Sequence, residues 1–372
     1  MIKYIGSKRL LIPAIRAMIG AVPDTRTVLD LFSGTARVAQ ALKAEGCRVL
    51  ANDHNACANT LALCYVQADR EAVLADATGL LAELQRLPGR PGWFTETYCE
   101  RARYLQPKNG ARIEAIRERI RDLALPPELE SVLLVALMEA ADRVDSTTGV
   151  QMAYLKQWAA RSNNELELRM PQLLPRAAAG KSEAHRLEAS VAAERFEADV
   201  AYVDPPYNQH SYLGNYHVWE TLVCWDRPEV YGVANKRVEC RERKSAFNSK
   251  SDYRAAFREL ITKLRAPTLI VSFNDEGYLP RAEIEAILAE RGAFECVERD
   301  YKRYVGAQIG IYNTKGKKVG KVSHLRNMEL IYAVGEPGVV SAACAAGRAS
   351  FQNMNAGTIP KAMTMGQETA GP

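Results

Sequence analysis

Several familiar signals are missing from this chain. No apolar run approaches the ~20 residues of a membrane-spanning helix. Lys3, Lys8 and Arg9 fall where a secretion signal would need its apolar core. The eight cysteines lie scattered at 47, 57, 64, 99, 224, 240, 296 and 344 with no CxxC pair, so neither a disulfide framework nor a zinc site is expected, and a cytoplasmic setting is. The phosphate-loop pattern GxxxxGK(S/T) and the dinucleotide pattern GxGxxG are absent, as is any internal repeat. Membrane, secreted, collagenous and wholly disordered classes are thereby excluded. What is present is an ordinary globular composition: 372 residues, 47% hydrophobic and 25% charged, enough for one large domain or two modest ones. Lys and Arg number 49 against 44 Asp and Glu, a formal charge of +5. That excess suits a nucleic-acid partner without requiring one.

Three textures follow one another. From 1 to 65 the chain alternates helix and strand. Thr27 to Phe32 and Arg48 to Asn52 are short β-rich runs, and Arg37 to Glu45 between them is helical by propensity and stopped by Gly46. This spacing predicts parallel βα units. From 66 to 184 strand signal almost vanishes: Leu129, Val132, Leu133, Ala136, Leu137 and Ala140, and likewise Ile113, Ile116 and Ile120, recur at helical spacing. A helical insert is expected there. From 185 to 335 strands return. Asp199 to Val203 and Pro267 to Phe273 are apolar enough to be buried parallel strands, and Tyr304 to Gly310 with Asn327 to Val334 flank the loop Asn313 to Lys318 as an expected antiparallel pair. The Ala/Gly/Met-rich remainder, 336–372, reads as a disordered tail. The expected fold is α/β, a doubly wound, mostly parallel sheet with an inserted helical domain.

Asp204-Pro205-Pro206-Tyr207-Asn208 is the sharpest chemical signal. Two prolines cannot continue a ladder, so they fix a carboxylate and an aromatic ring at the carboxyl end of the strand before them. Open α/β sheets bind ligands at that end. An acid, a Pro205 carbonyl and the Tyr207 ring there suit a planar substrate with an exocyclic amine; the alternative is a strand-ending turn with a solvated acid. Asp30-Leu31-Phe32-Ser33-Gly34-Thr35-Ala36 is a small-residue turn that lets a ligand approach amides at the next helix N-terminus, or a plain βα turn. Asp53, ending the second strand, is placed for ribose hydroxyls or for capping the helix after Asn55.

In order, these motifs resemble the Dam-like N6-adenine DNA methyltransferases, specifically the group whose target-recognition insert precedes DPPY. Lys3-Tyr4-Ile5-Gly6-Ser7-Lys8 is similar to the family's N-terminal motif. Tyr207 to His217, through Asn208 and His210, resembles its restriction-modification branch, and Ser272 to Gly277 and Glu329 to Tyr332 look like later motifs. The resemblance implies S-adenosyl-L-methionine as methyl donor, with no metal. Tyr4, Ile5 and Lys8 would border its methionine end, Phe32, Gly34 and Thr35 would pass beneath it, Asp53 would hold the ribose, and Asp204 would adjoin it. Glu188, on a strand Leu187-Glu188-Ala189, would face its adenine, unless it is a surface Glu on a helix. Asp204, Pro205, Pro206 and Tyr207 would be catalytic. The family's turn reads Phe-x-Gly-x-Gly, and Ala36 stands in the last position; a methyl is easily borne there at negative φ and costly at positive φ.

The resemblance also implies duplex DNA as substrate, a monomer acting on it, and a cognate restriction endonuclease as partner. Two basic stretches are candidate DNA contacts. Arg101, Arg103, Lys108, Arg112, Arg117, Arg119 and Arg121 lie in the insert, where a solvated helix face is the alternative. Lys236, Arg237, Arg241, Arg243, Lys244 and Lys250 follow DPPY, interleaved with Phe247 and Asn248. Asp145 to Gly149 either presents polar groups to the target strand or ends a helix. The rival chemistry is N4-cytosine methylation, against which Asp204 argues because such enzymes commonly begin this motif with serine. The rival class is a catalytically silent DNA-binding relative. His217, Trp219 and Glu220 read as packing residues on the helix after DPPY.

Overall fold

Short, fully apolar runs become the middle of the sheet because both of their faces are covered. A computed structural model describes residues 2–6, 8–207, 209, 211–302, 311–312, 318–320 and 326–355. Its central sheet has seven strands: β1 (Thr27–Asp30), β2 (Arg48–Asn52), β3 (Glu183–His185), β4 (Val200–Val203), β5 (Thr268–Asn274), β6 (Ala293–Lys302) and β7 (Arg326–Gly335). Their spatial order is β3-β2-β1-β4-β5-β7-β6. Pairings from β3 through β5 are parallel, and β7 runs antiparallel to both neighbours. Strand order reverses between β1 and β4, which opens a crevice at their carboxyl ends.

Helices of seven or more residues are α1 (Ile12–Gly20), α2 (Arg37–Ala44), α3 (Ala56–Ala62), α4 (Arg70–Gln85), α5 (Pro107–Asp122), α6 (Pro127–Arg143), α7 (Ala189–Arg195), α8 (His217–Cys224), α9 (Tyr253–Lys263), α10 (Arg281–Ala289) and α11 (Pro337–Asn355). Alternate strand residues feed two cores, as the period of two demands. Val28, Val200, Tyr202 and Ile270 face α1, α2 and the helices of the 66–184 span. Leu29, Ala201, Val203, Leu269 and Val271 face α7, α9 and α10. The fold is the doubly wound α/β sheet expected. The 66–184 span is helical as far as Arg143, with an apolar side continuous with the first core; residues 144–182 are irregular apart from the 3-10 turn Ala160–Asn163, and β3 begins inside the span at Glu183.

Three expectations are corrected. Asn327 to Val334 does pair antiparallel, but with Ala293–Lys302; Tyr304 to Gly310 and Asn313 to Lys317 lie outside the described residues. The pattern of Ala293–Lys302 hides the strand, because Glu295 and Arg299 on one face and Glu298 and Asp300 on the other interrupt the apolar residues at the sheet's edge. The tail is not disordered over its first part: Pro337–Asn355 is a 19-residue helix. Val340, Ala343, Cys344 and Phe351 bury one stripe of it, and Gly347 allows close approach, since a Cβ there would meet Met18 Cγ at 2.8 Å. Residues 356–372 lie outside the description. Finally, Leu187-Glu188-Ala189 is not a strand; Glu188 is the extended residue that starts α7, whose alanine-rich sequence favours helix.

Candidate active site

The turn after β1 is built by backbone bonds to its neighbours. Leu31 N–H donates to Tyr202 O at 3.1 Å and Ser33 N–H to Asn52 O at 2.8 Å. Gly34 and Ala36 then adopt left-handed φ values of 51° and 58°, which aims the chain into α2. Ala36 therefore carries its methyl where an L-residue pays about 1–2 kcal/mol. Asp53 ties the turn down: its Oδ2 accepts from Gly34 N–H at 3.1 Å and its Oδ1 from Asn55 N–H at 2.9 Å. Burial pushes the Asp53 carboxyl up, against lowering by His54 and by the Asn55 and Gly34 amides.

Asp204 leaves β4 at the same edge. Lys8 Nζ lies 3.2 Å from Asp204 Oδ1 and 3.2 Å from Glu329 Oε2, with all three side chains largely buried. Because β7 is reversed, its beginning reaches the carboxyl edge, and Glu329 arrives there opposite Asn274. Burial would lower the Lys8 ammonium, but Asp204 and Glu329 hold it well above its ordinary value. Burial raises the Asp204 carboxyl to about 6, with Lys8 opposing and Glu329 adding. Asp30, at the end of β1, is pushed to about 8 by burial and then by Asp204, against lowering by the Ala39 amide in the first turn of α2. The Tyr207 ring lies beneath Lys8, 5.7 Å from the ammonium to its centroid. Tyr207 O accepts from Tyr278 N–H at 2.9 Å, which pins the proline turn to the loop after β5.

One cleft of about 1030 Å³, counted out to its mouth, joins these groups. Asp30, Asp53 and Asp204 all line it, with Tyr4, Lys8, Phe32, Gly34, Thr35 and Glu188. Ile5 does not; its amide donates to Tyr216 Oη at 2.6 Å. Tyr4 is stacked between Tyr212 and Tyr216, with centroids 5.2 and 4.4 Å away. Gly6 must be glycine: its φ is +75°, and a Cβ would sit 2.7 Å from Tyr212 Oη. Ser7, Asn208 and His210 lie outside the described residues. Glu188 reaches His54 Nδ1 at 3.4 Å. Pro206 lines the cleft, while Pro205 and Tyr207 adjoin it.

The sequence did not single out Phe247, Asn52 or Arg37 for this cleft. Phe247 is buried and packs edge-on against Phe32, centroids 5.3 Å apart, so the basic segment after DPPY folds over the cleft. Asn52 Nδ2 donates to Leu31 O and Leu187 O, each at 3.2 Å. An aromatic amid basic residues was the available clue for Phe247; long-range pairings gave none for the other two.

The basic candidates divide by surroundings. Lys244 and Lys250 are exposed and Lys236 half-buried. Arg243 lines the cleft, donating to Asn55 Oδ1 and pairing with Glu239 at 2.6 Å. Arg237 is 4% exposed and locked to Asp226 at 2.7 Å and Glu239 at 2.9 Å, so its fork is spent inside the protein. Arg103 stacks on Trp158 at 4.5 Å, and Lys108 pairs with Glu165 at 2.5 Å. Arg117 is buried and donates to Leu222 O and Val223 O, satisfying the last carbonyls of α8. Asp145 is also internal: it binds Lys3 at 2.8 Å and Arg161 at 2.7 Å, so that turn ends α6 and anchors the N-terminal motif. Glu220 accepts from Ala56 and Cys57 amides, both at 2.8 Å, capping α3.

The cleft fits a sulfonium donor on an observation of its own: the carboxyl groups of Asp30, Asp53 and Asp204 gather around one cavity beside the small-residue turn that follows β1. Comparisons with known proteins agree. The model of the D12 class N6 adenine-specific DNA methyltransferase family matches residues 4–271. Type II methyltransferase M.FokI of Planomicrobium okeanokoites is 31% identical over 324 residues, covering 81% of this chain and 49% of that protein. Modification methylase StsI of Streptococcus sanguinis is 29% identical, covering 82% of this chain and 49% of its own. Type II methyltransferase M.NlaIII of Neisseria lactamica is 28% identical, covering 87% and 98%. The chain thus spans about half the length of the first two relatives and nearly all of the third.

Proposed function

Since the chain belongs to the D12 class N6 adenine-specific DNA methyltransferase family, we propose that it methylates the N6 amine of an adenine in duplex DNA, using S-adenosyl-L-methionine. The observation that carries this reading is the single cleft shared by Asp53, at the end of β2, and Asp204, at the end of β4. The donor, when bound, supplies an activated methyl group. Every other contribution comes from this chain.

The exocyclic nitrogen of adenine is conjugated with the ring and is a poor nucleophile. Asp204 and the Pro205 carbonyl accept its two hydrogens, which favours a pyramidal nitrogen with an available lone pair. Pro205 and Pro206 fix these acceptors, so positioning is the main contribution. The base must leave the helix, at a cost of a few kcal/mol; stacking on Tyr207 returns ~1–3 kcal/mol. Glu188 and Asp53 serve the donor's adenosine, and Tyr4 and Lys8 border its other end. Exposed Lys244 and Lys250, with half-buried Lys236 beside them, supply phosphate contacts, which hold the protein on DNA without reading sequence. The reading extends to a cytoplasmic monomer that protects host DNA against a cognate restriction endonuclease.

The test is chemical. Purified protein is incubated with duplex DNA and methyl-labelled donor, and the product is digested to nucleosides. Label in N6-methyldeoxyadenosine is expected. Label confined to N4-methyldeoxycytidine, or carried by RNA in preference to DNA, overturns the proposal.

A further inference from the structure

Arg37 is the first residue of α2 and lines the cleft. It makes no hydrogen bond or ion pair among the described residues, and its Nε is buried without a partner. Its electrostatic neighbours give it no rest. Burial and then Arg9 lower its guanidinium, while Tyr65 and Glu139 act the other way; Glu139 already accepts from Tyr65 Oη at 2.5 Å. The start of α2 adds to the imbalance: its N-cap, Ala36, has no side chain to cap it and no acid lies in its first turn, so the positive end of the helix dipole lies beside Arg37. On the same cleft lies Asp30, 1% exposed, whose carboxyl burial pushes up to about 8. An unpartnered guanidinium beside a helix N-terminus, on a cleft whose nearby Asp30 carboxyl is held largely neutral, fits the anionic end of a ligand.

We propose that Arg37 and the α2 N-terminus bind the α-carboxylate of the methyl donor, making Arg37 a specificity residue for the donor's amino-acid end. This rests on the donor reading above and goes beyond it by assigning a carboxylate clamp. A guanidinium supplies two parallel donors matched to a carboxylate, which a lysine cannot. The cleft supports this end rather than the nucleoside end: Asp53, Leu187 and Glu188 lie around β2 and the start of α7, whereas Arg37 neighbours Arg9 and the segment carrying Tyr4 and Lys8.

Calorimetric titration of the purified chain with two product analogues tests it without any turnover. S-adenosylhomocysteine carries the carboxylate; decarboxylated S-adenosylhomocysteine keeps the amine and lacks it. Arg37→Met is expected to weaken the first roughly 10- to 100-fold, the loss of a charged hydrogen bond, and to leave the second within about twofold. Retained binding of the second ligand also shows that the variant is folded. Arg37→Lys is expected to fall between. Equal weakening of both ligands, or no weakening of either, overturns the assignment. If the wild-type chain binds neither ligand, the donor reading itself fails, and this inference falls with it.

Discussion

Asp204 takes its chemical character from neighbours of opposite sign. Lys8 and Glu329 face it directly, Asp30 adds a second acid, and the phenols of Tyr202, Tyr207, Tyr212 and Tyr253 complete its surroundings. Acceptance of the amine hydrogens needs the ionised carboxylate, so the single-turnover rate should fall tenfold per unit as pH drops below about 6. Glu329 raises the Asp204 value; with Glu329→Gln, Lys8 acts unopposed and the acidic limb should move to lower pH. A limb that stays in place would show that Glu329 does not tune Asp204. Glu329→Asp should restore the original position. Ala36 offers a separate check on the turn. Its left-handed φ costs more than the extra freedom glycine brings to the unfolded chain, so Ala36→Gly should raise the unfolding free energy by about 0.5–1 kcal/mol in denaturant titration. A loss of stability would contradict the strained geometry.

The segment after DPPY works as one element with two sides. Phe247 closes on Phe32 inside, while Lys244 stands outside. Lys244→Ala should weaken binding to every duplex and flatten the dependence of log K on log salt by about one unit. Arg237→Met should leave that slope unchanged while lowering the melting temperature, because Asp226 and Glu239 lose the fork that joins them. A flattened slope in Arg237→Met would put that residue on DNA after all. The contrast shows what sequence can and cannot reveal. The arginines and lysines of one basic run look alike in composition; only the fold decides which of them meet acids. Strands β1, β2, β4 and β5 were legible because burial on both faces demands continuous apolar runs. β6 was not, since this edge strand carries charges on both faces, and α11 was hidden because close helix contact with α1 uses alanine and glycine, the residues that also mark a flexible tail. In the cleft, Asp53, Asp204 and Tyr4 were readable from motif positions. The Lys8–Glu329 pair spans 321 positions, and Arg37 sits in a helix whose pattern says nothing of the cavity beside it.

Across the molecule, the topology explains why these groups meet. Strand order turns back between β1 and β4, so the turns after both strands open into one crevice, with β2's end beside it. The reversed β7 delivers Glu329 to the same edge. The helices of the 66–184 span pack into the same core as the sheet, and Lys3 fastens the N-terminal motif to the end of α6, so the Asp53 and Asp204 ends of the cleft are held in fixed relation. The account stands or falls on that relation. Its most direct test is the single-turnover rate of methyl transfer to duplex DNA by Asp204→Ala, measured beside the affinity of that variant for S-adenosylhomocysteine and for DNA. The rate should drop by at least about a thousandfold, about 4 kcal/mol of barrier, with both affinities within severalfold of wild type. An unchanged rate would contradict the account.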